Sequence, residues 1–195
     1  MGGMGRDRAA RSCDAIAGFT SLRRIRPSAI IPAMAGELNI EGFCLGPWQT
    51  NCYVVRAEGE SECWIVDAGF DPEAMIDAVR QRDLRPVRMV LTHAHLDHIA
   101  GLEQMRSAWP DAPIGIHSSE VDFLASPELN LSAMMGMGLK ARPADETFED
   151  GQTLELGGHT FEIRHTPGHS PGGITLYQPE SKAAIVGDTL FAGSI

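Results

Sequence analysis

A cluster of potential metal ligands lies between residues 92 and 98, where the sequence is THAHLDH. It follows the run 87–91 (VRMVL), and so short a run of aliphatic and β-branched residues predicts a buried strand. From Ile99 onward the apolar spacing is that of a helix, with Asp97 placed to cap its N-terminus. The ligands therefore lie between a strand and a helix, whose backbones fix the side-chain geometry before an ion binds.

The spacing within this cluster indicates which ions it suits. Neutral imidazole nitrogens bind zinc, iron or nickel, and a carboxylate adds charge and a hard oxygen. His93 and His95, two apart in an extended turn, can point the same way and bind one ion. Asp97 and His98 leave in another direction, so two adjacent ions fit better than one. The alternative, a polar turn with solvated histidines, is disfavoured because three of the seven histidines fall within six positions.

Three motifs carry a resemblance to a known family. THAHLDH matches the HxHxDH signature of the metallo-β-lactamase superfamily, and HTPGHS (165–170) and VGDTLF (186–191) match further motifs in the same order. Within the superfamily, TPGHSPGG (166–173) and GDTLFAGSI (187–195) most resemble the glyoxalase II-like hydrolases. The resemblance covers about Gly42 to Ile195 and implies a four-layer αββα sandwich, with the site at one end of two packed sheets.

The resemblance also implies a set of metal ligands and a reaction. The first ion would be bound by His93, His95 and His169, the second by Asp97 and His98, with Asp188 as a bridge between them. Zinc, up to two ions, is the implied cofactor, with iron as the alternative. Metal-bound hydroxide would attack a carbonyl carbon while Asp97 holds the nucleophile and transfers a proton.

Asp67 lies in a DAG sequence directly after a predicted strand. In the family this position is beside the metal site, so Asp67 would orient a ligand histidine by a hydrogen bond without itself binding the ion. An aspartate that merely begins a turn before a helix is an equally good interpretation.

The leading reaction is hydrolysis of a small-molecule thioester of the hydroxyacylglutathione type, because a thiolate leaves without strong general-acid assistance. Met134, Met135 and Met137, interrupted by glycines in residues 131–140, form an adaptable apolar surface, which is the candidate substrate pocket. Lys140 is the candidate partner for an anionic substrate tail. The alternatives are methionines that fill a gap in the core and an ordinary solvated lysine.

The end of the chain departs from the family pattern. A further histidine normally completes the second metal site, whereas this chain ends at Ile195, seven residues after Asp188. We therefore expect a strong first site, a weakened second site, and a sandwich that lacks its last strands and helix, as in a truncated gene model or fragment. The helical domain that binds glutathione in full-length glyoxalase II enzymes has no counterpart either, so glutathione specificity does not follow from the motifs.

The pattern of the remaining sequence predicts a single metallo-hydrolase domain over residues 34–195. Strands are expected at 38–45, 52–57, 63–68, 87–91, 113–117, 153–156, 159–165, 172–177 and 182–186, and helices at 71–82 and from 99 to before Pro110, with helical fragments in 118–143. Gly157-Gly158 predicts a two-residue hairpin between its flanking strands. Asp71 is the expected N-cap of the helix at 71–82, with Pro72 at its first helical position. Residues 1–33 contain six Arg and two Asp and are predicted to be a disordered basic extension, a presequence, or the product of an upstream start before Met34.

Composition excludes several classes of function. Residues 34–195 carry a net charge of −14, which disfavours binding to nucleic acid. No apolar run reaches the ~18 residues of a membrane span, and the four cysteines form no CxxC pair, which favours a reducing cytoplasmic setting. Nothing in the sequence predicts an oligomeric state.

Three other functions remain open. An iron-dependent persulfide dioxygenase shares the fold and most of the ligands, but uses one Fe(II). A β-lactamase fits less well, because there is no secretion signal and the surrounding motifs differ. A truncated, non-catalytic metal-binding fragment is the third.

Overall fold

The computed structural model describes residues 36–191 and residue 193. The predicted basic extension over residues 1–33, and its boundary with the hydrolase domain, lie outside these residues. A six-stranded sheet comes first, and its strands are adjacent in chain order: β1 (Leu38–Leu45), β2 (Thr50–Ala57), β3 (Glu62–Val66), β4 (Arg85–Val90), β5 (Ile114–His117) and β6 (Glu146–Phe148). The pairs β1–β2 and β2–β3 are antiparallel, whereas β3 to β6 are parallel.

The second sheet is antiparallel and has four strands in the order β10-β9-β8-β7. These are β7 (Thr153–Leu156), β8 (His159–His165), β9 (Ile174–Gln178) and β10 (Ala183–Ile185). Gly157 and Gly158 connect β7 to β8 with positive φ angles of 56° and 83°, which glycine adopts without steric cost. The hairpin predicted from the Gly-Gly pair is therefore confirmed, with both strand boundaries as expected.

Three α-helices pack on one outer face of the six-stranded sheet: α1 (Glu73–Gln81), α2 (Leu96–Ile99) and α3 (Leu102–Ala108). Met75, Ile76 and Val79 form the buried side of α1. The predicted cap of this helix is wrong by one position. Pro72 occupies the N-cap, and Asp71 precedes it with a φ of 51°, because the chain turns sharply before the helix begins.

The hydrophobic core has two parts. One lies between the helices and the six-stranded sheet, and the other fills the space between the two sheets. In the second part Trp64 of β3 packs against Phe161 of β8, with ring centroids 5.1 Å apart, and both side chains are almost completely buried. The helices, the six-stranded sheet and the four-stranded sheet form successive layers, in agreement with the predicted sandwich.

The outer face of the four-stranded sheet has no covering α-helix among the described residues. This face is polar. Arg164 forms an ion pair with Glu162 and lies over the ring of Tyr177, 4.1 Å from its centroid. The exposed apolar residues near the end of the chain are Leu190 and Phe191.

The segment between β5 and β6 contains two 3₁₀ segments, Ser118–Ala125 and Ala133–Met135, within the region where helical fragments were predicted. Strand β6 was missed, because three residues are too few for a periodic signal. In the described part of the chain, no helix has the length and apolarity needed to cross a membrane.

We predict that Phe161→Ala lowers the free energy of unfolding by about 3–5 kcal/mol, because it opens a cavity between the sheets against Trp64. Urea denaturation measures the loss. Leu129→Ala is the control, since Leu129 is 43% exposed and should lose less than about 1 kcal/mol. Equal losses for the two variants would contradict the assignment of this core.

Candidate metal centre

The carboxyl ends of four strands bring the candidate ligands together. Parallel strands β3 and β4 end at the same edge of their sheet, with Asp67 after the first and His93 after the second. In the other sheet β8 and β10 run in the same direction, since each is antiparallel to β9, and they lead to His169 and Asp188. A hydrogen bond of 2.9 Å from Ile174 N to Thr92 O connects the two edges.

Three histidines form the first group of potential ligands. His93, His95 and His169 each offer a ring nitrogen, and these atoms lie within 4.8 Å of one another. His95 Nδ1 is 2.9 Å from His169 Nε2. His93 is buried, and its Nε2 atom has no hydrogen-bond partner among the described residues.

A second group shares His93 with the first and adds His98 and Asp188. His98 Nε2 is 3.1 Å from Asp188 Oδ1, yet the angle is not that of a hydrogen bond. The other carboxylate oxygen, Oδ2, is 3.4 Å from His169 Nε2. One carboxylate therefore faces a histidine of each group, the position that a bridge between two ions requires.

Asp97 does not cap the helix as predicted, because His95 occupies the N-cap of α2 and Asp97 lies in its first turn. Its carboxylate instead accepts a hydrogen bond of 2.8 Å from Thr50 Oγ1, and the same oxygen is 3.5 Å from His98 Nε2. The side chain is thus held beside the second group, with one face open to solvent.

Asp67 is completely buried and hydrogen-bonds to both neighbouring segments. Its Oδ1 accepts from Thr92 N at 2.7 Å, and its Oδ2 contacts Thr92 Oγ1 at 2.7 Å and His98 Nδ1 at 2.8 Å. The last contact leaves His98 Nε2 directed at Asp188. Asp67 also has a φ of 61°, a left-handed conformation in which Asp and Asn are the most tolerated residues after glycine.

The electrostatic environment differs between the two groups. Burial, together with the neighbouring His98, His95 and His169 rings, lowers the pKa of His93 and keeps its imidazole neutral, the form that binds metals. Burial also lowers the pKa of His98, but the carboxylates of Asp67 and Asp188 outweigh it and raise that pKa to about 10. The donor set, with two buried Nε2 atoms that lack hydrogen-bond partners, fits divalent transition-metal ions.

A cavity of about 430 Å³ opens beside these groups. His95, Asp97, His169 and Asp188 form its polar side, and its apolar side consists of Trp48, Leu96, Leu131, Met134, Met135 and Phe191. Of the predicted pocket residues, Met134 and Met135 line the cavity. Among the described residues, neither Met137 nor Lys140 contributes to that lining.

Several residues at the site have no signal in the sequence. Thr92 was part of the motif but had no predicted role, and Thr50 and Trp48 lie far from any motif. Outside the ligand groups, His117 and His165 stack on each other, with ring centroids 4.1 Å apart.

Imidazole and carboxylate groups gathered at one edge of a two-sheet sandwich define a class of metal-dependent hydrolases. The family model described as the metallo-beta-lactamase superfamily matches residues 45–195, and the chain belongs to this superfamily. The match includes every candidate ligand and confirms the resemblance found in the sequence.

Named relatives agree with this assignment. The chain is 37% identical over 152 residues to the probable metallo-hydrolase YqgX of Bacillus subtilis, covering 77% of this chain and 71% of that protein. It is 34% identical over 161 residues to the hydroxyacylglutathione hydrolase GloC of Haemophilus influenzae, covering 81% and 74%.

Two solved structures share the fold. The B3 metallo-beta-lactamase BLEG-1 matches with a TM-score of 0.75 at 36% identity, over 80% of this chain and 75% of the other. The di-iron-bound form of TTHA1623 matches with a TM-score of 0.67 at 30% identity, again over 80% and 75%. The predicted fold class is therefore confirmed.

We predict that Asp67→Asn weakens Zn²⁺ binding about 10- to 100-fold, because an amide has one acceptor oxygen where the carboxylate uses two. Equilibrium dialysis against Zn²⁺ measures the affinity. Asp71→Asn is a matched control, since Asp71 also has a positive φ but its side chain is exposed rather than buried beside the histidines. Equal affinities in the two variants would contradict a role for Asp67 in orienting His98.

Proposed function

We propose that this metallo-hydrolase cleaves small-molecule thioesters of the hydroxyacylglutathione type. The observation that carries the proposal is the convergence of the two histidine groups on one cavity, with Asp188 between them. The 34% identity with GloC supports a thioester as substrate.

We assign the first ion to His93, His95 and His169, the second to Asp97 and His98, and a bridging position to Asp188. The two oxygens of Asp188, each near a histidine of a different group, support this arrangement. Asp97 falls outside the second geometric group but has an oxygen 3.5 Å from His98 Nε2, close enough for both to face a common ion. Zinc suits this set of nitrogens and oxygens, and the di-iron form of TTHA1623 makes iron the alternative.

The bound ions supply Lewis acidity, which makes water nucleophilic near neutral pH and stabilises negative charge on a carbonyl oxygen. The chain's own residues orient and transfer protons. Thr50 fixes the Asp97 carboxylate by its hydrogen bond, so that Asp97 can accept the proton of the attacking water. Asp67 holds the His98 ring so that Nε2 faces the centre. A thiolate can then leave without a strong acid beside it.

The apolar side of the cavity is where we place the substrate's carbon skeleton. Trp48, Leu131, Met134, Met135 and Phe191 provide it, and methionine side chains adapt to substrates of different shapes. Lys140 and Met137 have no part in this proposal. The partner is thus a small molecule, whose reactive carbonyl lies at the polar side formed by Asp97 and Asp188.

Two of the solved structures support other chemistries of the same centre. The similarity to BLEG-1 favours β-lactam hydrolysis as a second candidate, because a lactam carbonyl is attacked in the same way as a thioester. The di-iron form of TTHA1623 favours iron, and with iron the persulfide dioxygenase remains a candidate.

We further propose that the protein works in the cytoplasm. Cys44, Cys52 and Cys63 are all free thiols, which suits a reducing compartment. Cys52 and Cys63 are buried, whereas Cys44 is exposed.

The first test of function is hydrolysis of S-lactoylglutathione. We expect the Zn²⁺-loaded protein to cleave it, and His95→Ala and Asp97→Ala to reduce kcat/KM at least about 100-fold through loss of a ligand or of proton transfer. Chelation should abolish the activity, and Zn²⁺ should restore it. His159→Ala is the control, because His159 binds the backbone of Gly36 away from the cavity.

The same preparation, assayed with a chromogenic cephalosporin and with glutathione persulfide under oxygen monitoring, separates the candidates. Lactam cleavage without thioester cleavage would favour the second candidate. Oxygen uptake, with about one equivalent of iron in protein purified without added metal, would favour the dioxygenase. A thioester rate equal in the wild-type protein and the two alanine variants would contradict the proposal.

The pocket has its own test. Replacing both Met134 and Met135 by serine should raise KM for an apolar acyl thioester about 3- to 10-fold, since apolar contacts to the bound acyl group are lost. The matched control is Met137→Ser, in the same segment but outside the lining. Steady-state kinetics with acyl chains of increasing length measure the effect. An equal change in KM from Met137→Ser would show that the segment, not these contacts, is responsible.

A further inference from the structure

Glu120 is a buried carboxylate that the proposed chemistry does not use. It lies in the 3₁₀ segment that follows β5, and its side chain has no exposure to solvent. Its Oε2 accepts a hydrogen bond of 2.6 Å from Ala94 N, and its Oε1 accepts one of 2.8 Å from Gly172 N. Both oxygens are therefore bound to backbone groups of other segments.

The two backbone groups belong to the loops that carry the first histidine group. Ala94 lies between His93 and His95, and Gly172 is three residues after His169. These loops are 26 and 52 residues from Glu120 in sequence, so one side chain connects two distant parts of the chain. All three histidines of the group are thus located by loops that share a single carboxylate.

The contact between Glu120 and the second loop requires a glycine at position 172. A β-carbon added at Gly172 would lie 2.7 Å from Cγ of Glu120, closer than van der Waals contact permits. The absence of a side chain at this position lets the carboxylate reach the loop. The contact therefore depends on the residue type at both of its ends.

The charge of Glu120 indicates what the contact serves. Among the described residues it forms no ion pair with Lys, Arg or His, and a buried carboxylate without a cation is unfavourable unless hydrogen bonds compensate. Two backbone N–H groups offset part of this penalty. A divalent cation bound by the adjacent histidines would offset more, because opposite charges attract strongly where water is excluded.

We propose that Glu120 is a positioning residue for the metal site formed by His93, His95 and His169. It holds the two ligand-bearing loops at the spacing that one ion needs, and its negative charge stabilises that ion. Because coupling between two sites is reciprocal, the bound ion also stabilises the buried carboxylate. This inference rests on the metal centre of the proposed function, and the Glu120 contact does not itself establish that centre.

The test compares Glu120→Gln with Glu155→Gln in the full chain. Glutamine keeps the shape of the side chain but replaces one acceptor oxygen by an NH₂ group, which cannot accept from a backbone N–H. Glu155 is an exposed glutamate on β7, bonded only to Thr160 among the described residues, and serves as the matched control. Zn²⁺ affinity is measured by competition with a chromophoric chelator, and melting temperature is measured with and without Zn²⁺.

We expect Glu120→Gln to weaken the tightest Zn²⁺ site about 10- to 100-fold, and to lower the melting temperature more with Zn²⁺ than without it. Gly172→Ala should weaken Zn²⁺ binding in the same way, because it disturbs the other partner of the contact. This variant keeps the charge of Glu120. Glu155→Gln should bind Zn²⁺ as the wild type does.

Any of four results would overturn the inference. If Glu120→Gln keeps wild-type affinity, or if it loses as much melting temperature without Zn²⁺ as with it, including failure to fold, the carboxylate serves only the fold. If Gly172→Ala keeps wild-type affinity, the contact does not position the ligands. If the wild type itself binds no Zn²⁺, the proposed metal centre fails together with this inference. If the wild type binds Zn²⁺ and only the results for the variants are contrary, the inference about Glu120 fails alone.

Discussion

At the end of β3, the carboxylate of Asp67 lies among three polar groups of neighbouring segments: Thr92 N, Thr92 Oγ1 and His98 Nδ1. The backbone on either side is also bound, because Asp67 N donates to Val90 O and Ala68 N donates to His98 O. Strand β3, the end of β4 and helix α2 are therefore held together by one buried network. Without the acceptor oxygens of Asp67, Thr92 N and His98 Nδ1 would have no hydrogen-bond partner among the described residues, a condition that costs about 1–3 kcal/mol for each buried group. The geometry of the candidate centre depends on this network.

Much of this arrangement could be predicted from the sequence, because its signals are local. The hairpin around Gly157 and Gly158 follows from the φ angles that only glycine adopts easily. The strand before His93 follows from a short apolar run, and the ligand motif itself indicates metal chemistry through the spacing of its histidines. His169 and Asp188 were identified through the resemblance to a family, since each by itself is only a polar residue in a loop.

The rest of the site depends on contacts between residues far apart in sequence. Thr50 is 47 residues from Asp97, whose carboxylate it fixes by a hydrogen bond. Glu120 follows an apolar strand in an unremarkable polar sequence, and nothing there indicates a buried carboxylate. For Lys140 the predicted substrate contact stays a prediction, because the described cavity is lined by other residues of the same segment. Periodicity contains no information about such long-range contacts.

The ligands come from both sheets, with His93 after β4 of the first and Asp188 after β10 of the second. An ion bound by His93 and Asp188 would close a loop of roughly 95 residues. A covalent link across a loop of that length reduces the entropy of the unfolded chain by the equivalent of about 4–5 kcal/mol. A bound ion would then restrain the unfolded chain of this protein, as a disulfide restrains the unfolded chain of a secreted protein. The ion would be a reversible cross-link between the two sheets. Resistance of the protein to proteolysis would therefore depend on the availability of metal in the cell.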